Sequence, residues 1–129
     1  MLVDFHAEAT SEKVAMGWHL DGRVTAVVGT WVWVPTADAR VLPGGTAYIT
    51  DVGMTGPRGG VIGVKREQAI ESLLTQMPVR FETSQEDPWL MGVLISCSSS
   101  PRRATSIEQL LVPWSPSSAT SAGPKNQTT

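Results

Sequence analysis

The stretch from Val24 to Pro35 most constrains what this chain can fold into. Val24-Thr25-Ala26-Val27-Val28 is small or β-branched throughout, stops at Gly29-Thr30, and restarts as Trp31-Val32-Trp33-Val34. A run without polar alternation reads as a strand buried on both faces, the central strand of an α/β sheet. Such sheets do their chemistry just past the carboxyl ends of the strands. The loop expected there begins at Gly29-Thr30 and presents Trp31 and Trp33. Neither indole is a metal ligand or an acid–base group.

The flanking sequence completes a β-α-β unit. Met1 to His6 reads as a short strand. Thr10 is the expected helix cap, and Val14, Ala15, Trp18 and Leu20 follow at helical spacing until Asp21-Gly22 ends the run, which predicts a crossover helix over 11–20. Beyond the tryptophans, residues 39–42 and 46–50 flank Pro43-Gly44-Gly45 and predict a hairpin. A glycine-dense loop over 51–60 and Val61 to Val64 lead to a helix over 65–76. Its buried stripe is expected at Ala69, Ile70, Leu73 and Leu74, with Lys65, Arg66, Glu67 and Glu71 facing water. Further strands are expected at 79–83, 89–95 and 105–113. From 114 to 129 the residues are almost all small, polar, proline or glycine, which predicts a disordered tail after a domain over 1–113.

Composition narrows the function classes. At 129 residues and 41% hydrophobic content the chain is one globular domain at most. A net charge of −2 argues against polymeric nucleic acid or an anionic membrane as partner. Cys97 is the single cysteine and reads as a small strand residue, with no disulfide or zinc site to build. No apolar run approaches membrane-spanning length, so the expectation is a soluble cytoplasmic protein. Arg102-Arg103 is too small for a nucleic-acid patch, and Ser96 to Ser100 has no histidine base beside it. The 51–60 loop lacks the lysine of a phosphate-binding loop and does not run directly into a helix.

Several segments together resemble the YmdB-like metallophosphoesterases. They are Val3-Asp4-Phe5-His6-Ala7-Glu8-Ala9-Thr10-Ser11-Glu12-Lys13, Asp21-Gly22-Arg23-Val24, Ala26-Val27-Val28-Gly29-Thr30, and Gly45 to Pro57. The resemblance runs from residue 2 to about 95 and extends toward 113. It implies the carboxyl-terminal half of a calcineurin-like α/β sandwich with two iron or manganese ions, hydrolysing small phosphodiesters such as 2′,3′-cyclic nucleotides. In the family the central strand runs into Gly-Thr-His-Thr-His-Val and both histidines bind metal; here Trp31 and Trp33 stand at those positions. Other family ligands, and the histidine that acts as general acid, lie in the other half of the family's chains. His6 alone matches a metal ligand, and is read as a relict one; without the resemblance it is a strand-end histidine bonded to neighbours.

The remaining site residues follow from the same comparison. Asp4 and Glu8 flank His6 and are candidates to orient its ring, with surface acids as the equal alternative. Thr30, Asp51, Gly53 and Thr55 are expected to shape the cleft. Trp31 and Trp33, two apart in an extended segment, are expected on one side of it. There they fill the space of the absent metals, with an exposed hydrophobic patch or a stacking surface as alternatives. His19 is expected on the solvent side of its helix. A metal site this incomplete implies no stably bound ions and no activity of the chain alone. The alternatives are a non-enzymatic binding or assembly module, self-associated or paired with a separate chain, and an enzyme completed by ligands from a partner chain.

Overall fold

A computed structural model describes residues 1–115. The elements are β1 (Leu2–His6), α1 (Thr10–Leu20), β2 (Ala26–Thr30), β3 (Arg40–Val41), β4 (Ala47–Ile49), β5 (Gly56–Pro57), α2 (Arg66–Thr75), β6 (Pro88–Cys97) and β7 (Ala104–Pro113). They form two sheets, ordered β1-β2-β4-β3 and β5-β6-β7.

β2 is the central strand that its composition requires, parallel to β1 on one side and to β4 on the other. Gly29 and Thr30 are paired strand residues opposite Phe5 and His6, so the loop begins two residues later than expected, at Trp31. Gly29 is obligatory for a steric reason: a Cβ there would lie 1.7 Å from the Thr50 carbonyl oxygen. The predicted hairpin is present, with Arg40 opposite Tyr48 and Val41 opposite Ala47. Asp21, which ends α1, accepts the Gly44 N–H at 2.7 Å and so clasps the hairpin turn.

The first sheet is covered on both faces. On one, Val24, Val27, Leu42 and Tyr48 pack with Val3, Phe5, Val14, Met16 and Leu20, which brings α1 onto the sheet. The inward face of α1 also contains Gly17, where a Cβ would come within 2.6 Å of the Tyr48 ring, and Lys13. Trp18 is therefore exposed. On the other face, Ala26 and Ala47 pack with Ile95, Ala104 and Ile107 of the β6–β7 hairpin. Three alanines at that contact let the two sheets approach closely.

Several expectations are corrected. The helix cap is Ala9, without a side-chain bond, and the helix begins at Thr10. Lys65 is the residue before α2. No strand forms over 79–83; only Thr83 makes a bridge, to Val64. The segment lacks a partner strand and is tied to the start of α2, where Lys65 N–H donates to Glu82 O at 3.0 Å and Glu82 N–H donates to Gln68 Oε1 at 2.7 Å. The α2 stripe is not buried: Ile70, Leu73 and Leu74 are exposed and no residue of the helix is buried. Leu73 and Ala69 face a shallow groove with Val61, Ile62 and Phe81. The tail expected from 114 begins with Trp114, whose N–H donates to Pro88 O at 2.9 Å; residues 116–129 lie outside the described residues. Among the described residues no helix is long and apolar enough to cross a membrane.

Candidate functional site

The parallel strands β1 and β2 end side by side, His6 opposite Thr30. That register brings together three of the residues singled out from sequence. Thr30 Oγ1 donates to Asp4 Oδ1 at 2.9 Å, and His6 Nδ1 lies 2.9 Å from the same Thr30 oxygen. A hydroxyl has one hydrogen and an ionised carboxylate only accepts, so Thr30 accepts from His6 and Nδ1 carries the hydrogen. In the neutral ring this leaves the lone pair on Nε2. Asp4 thus acts on His6 through Thr30. Glu8 is exposed between β1 and α1 and joins none of these bonds.

Trp31 stands against His6 edge to face, ring centroids 4.9 Å apart and planes at 68°. The loop that carries it is not extended. Trp31 has φ 125° and Trp33 has φ 73°, left-handed values that side chains rarely adopt. A bond network holds this conformation. One oxygen of Asp51, Oδ2, accepts the Val32 N–H at 2.8 Å and pairs with Lys13 Nζ at 3.0 Å; the other, Oδ1, accepts the Gly53 N–H at 2.9 Å. Lys13 and Asp51 are each 1% exposed. Next to this anchor, Asp38 accepts from the Thr36 hydroxyl at 2.6 Å and from both the hydroxyl and the N–H of Thr50. Burial alone would raise the Asp38 pKa, but the Thr36 and Thr50 donors outweigh it and hold the carboxyl below its ordinary 3.8.

The tryptophans do not fill a void. Trp31 is 47% and Trp33 49% exposed. With His6, Gly53 and Met54 they line an open cavity of about 370 Å³, which corrects the space-filling role and leaves the exposed patch. Gly53 lines this cavity. The Thr55 hydroxyl donates to Met91 O at 2.9 Å and accepts the Met91 N–H at 3.1 Å, fastening the loop to β6. Asp51 acts from beneath, as the anchor.

Three features escape sequence reading. Lys13 looks like a solvated first-turn lysine; its spacing to Gly17 and Leu20 on one helix face is the signal that places it inward. Asp38 has no signal beyond the Thr-x-Asp spacing at 36–38 that an Asx-type turn uses. The pairing of Arg58, whose guanidinium lies 3.9 Å over the Trp89 ring, is a long-range contact with no local signal.

Indole nitrogen has no lone pair to give a metal. Among the described residues no group of three or more His, Cys, Asp or Glu side chains is placed to hold an ion. His6 Nε2 is the one imidazole lone pair at the strand ends.

Solved structures share this fold. A hypothetical protein from Thermus thermophilus matches with a TM-score of 0.79 and 41% identity, over 87% of this chain and 44% of that one. A phosphatase from Mycoplasma pneumoniae matches with a TM-score of 0.81 and 43% identity, over 86% of this chain and 40% of that one. The chain therefore has the fold of part of a metallophosphoesterase α/β sandwich. The family described as YmdB-like protein matches residues 1–110, and the chain belongs to that family. Among curated relatives, a 2′,3′-cyclic-nucleotide 2′-phosphodiesterase of Bacillus subtilis is 53% identical over 87% of this chain and 42% of its own length. A putative phosphatase/phosphodiesterase of Mycoplasma genitalium is 45% identical over 86% of this chain and 40% of its own. The chain spans about two fifths of the length of these relatives.

Proposed function

We propose that this chain is the carboxyl-terminal part of a phosphodiesterase domain, over residues 1–113, whose own residues do not complete the two-metal site, so that alone it does not hydrolyse phosphodiesters such as 2′,3′-cyclic nucleotides. The observation that carries this reading is the contact between His6 and Trp31 at the ends of β1 and β2. Two-metal hydrolysis needs ions a few ångströms apart, one activating water and both neutralising developing charge. One imidazole with two indoles beside it supplies no such pair of coordination shells. A cytoplasmic location accompanies the reading, consistent with the unpaired, exposed Cys97.

The test is elemental analysis after incubation with manganese or iron and desalting, together with assays on bis-p-nitrophenyl phosphate and 2′,3′-cyclic AMP. Expected are no retained metal and no turnover. Near-stoichiometric metal, or turnover that disappears in His6→Ala, overturns the proposal and favours a site completed by a partner chain.

A specific observation supports a second reading, an assembly module. Leu73 and Leu74 on α2 are 72% and 79% exposed, an apolar stripe of the kind that associates. Sedimentation velocity at micromolar concentration is expected to show self-association that Leu73→Glu reduces; a clean monomer removes this reading.

A further inference from the structure

Trp33 and Met54, which line the cavity beside His6, also line a second lobe of about 300 Å³. This second lobe is walled by Trp33, Met54, Ile62, Trp89 and Met91, with Arg58 at its rim. Its volume is at the lower end of small-molecule sites, which run from about 300 to 1,000 Å³. Its walls are indole, thioether and aliphatic groups, the surfaces on which flat rings stack.

Charge selects the occupant. Neither lobe has a carboxylate among its lining residues, and Arg58 is the charged side chain that lines the second. Arg58 is already held: its Nε pairs with Asp87 at 3.3 Å and its plane rests on Trp89. That fixes the guanidinium while its terminal nitrogens make no described hydrogen bond, which suits them to a carboxylate. Trp33, for its part, is held half-exposed in a left-handed backbone conformation by the Asp51 anchor. Residues kept in such conformations by their surroundings concentrate at ligand clamps.

We propose that this cleft binds a small planar aromatic carboxylate, its rings against Trp33 and Met54 and its carboxylate on the Arg58 guanidinium. The proposal rests on the reading that indoles, and not metal ions, occupy the strand ends. Metal analysis tests that reading separately, so the two can fail independently.

The experiment is a titration of the full chain with 2-naphthoate, followed on the indole N–H resonances. Trp33 and Trp89 are expected to shift at about millimolar ligand, with Trp18, on the far side of the sheet, unmoved. Trp33→Ala is expected to weaken binding about tenfold. Arg58→Gln is expected to weaken 2-naphthoate about tenfold and leave the neutral 2-naphthalenemethanol unchanged. Three results overturn the proposal: no shift of Trp33 or Trp89; neutral or trimethylammonium congeners binding as tightly as the acid; or Trp33 shifts that grow with protein concentration alone, which would assign the cleft to a second copy.

Discussion

Lys13 of α1 and Asp51, just past β4, form an ion pair 3.0 Å long with both side chains 1% exposed, and the same carboxylate binds the backbone of the tryptophan loop. The pair therefore links the helix layer, the parallel sheet and the candidate site through one side chain. Lys13→Met leaves Asp51 charged in a dry environment, and breaking a buried pair this way costs about 3–5 kcal/mol. A large drop in thermal midpoint is expected, with the double change Lys13→Met/Asp51→Leu recovering part of it. Calorimetry on both single variants and the double measures this; losses that simply add in the double variant would show that the charges are not coupled.

Gly29→Ala is expected to cost about 3 kcal/mol or more, since the new methyl overlaps the Thr50 carbonyl and the central strand has little room to shift. Urea denaturation followed by circular dichroism checks it. Gly92→Ala is the control: a Cβ there meets nothing within 4 Å.

Asp38 sets an acid limit. Its folded pKa is depressed, so it adds stability at pH above its unfolded value, lost as pH falls through the folded one. Stability is expected to decline below about pH 4, and Asp38→Asn to make that decline shallower. Glu82 is likewise lowered, by its hydrogen bond from Lys65, but is solvent-exposed. Salt screens Glu82 more than Asp38, so acid denaturation curves in low and high salt separate the two.

If the loop backbone is held by Asp51 and not by the indoles, Trp31→His/Trp33→His places two imidazoles beside His6 without rebuilding the loop. The double variant is expected to bind cobalt, read as visible d–d absorption, where the native chain shows none. Adding Asp51→Asn is expected to weaken that binding about tenfold or more, in line with the cost of losing a residue that orients metal ligands.

Legibility from sequence followed the range of the forces involved. β2, the β3–β4 hairpin and the extent of α1 were readable because composition, spacing and turn residues act over a few positions. The segment 79–83 was misread because alternation signals a strand only where a partner exists, and its bonds go instead to α2. The α2 stripe was misread because periodicity reports that a helix has an apolar face, not that something covers it. At the site, His6, Thr30 and Asp4 were legible through the resemblance, and their register follows from parallel pairing. Lys13 was not, because a lysine is buried only when a distant carboxylate compensates it, and no local pattern announces Asp51.

The second core, where Ala26 and Ala47 meet Ala104 and Ile107, has a temporal consequence. Ribosomes deliver β2 and β4 well before β7, so the alanine face of the parallel sheet emerges naked and stays so until the β6–β7 hairpin has cleared the exit tunnel. That hairpin joins neighbours in sequence and closes within microseconds, whereas the parallel pairings await crossover closure. Burial of this face thus waits on β7, and a nascent chain stalled before β7 presents its sheet to chaperones.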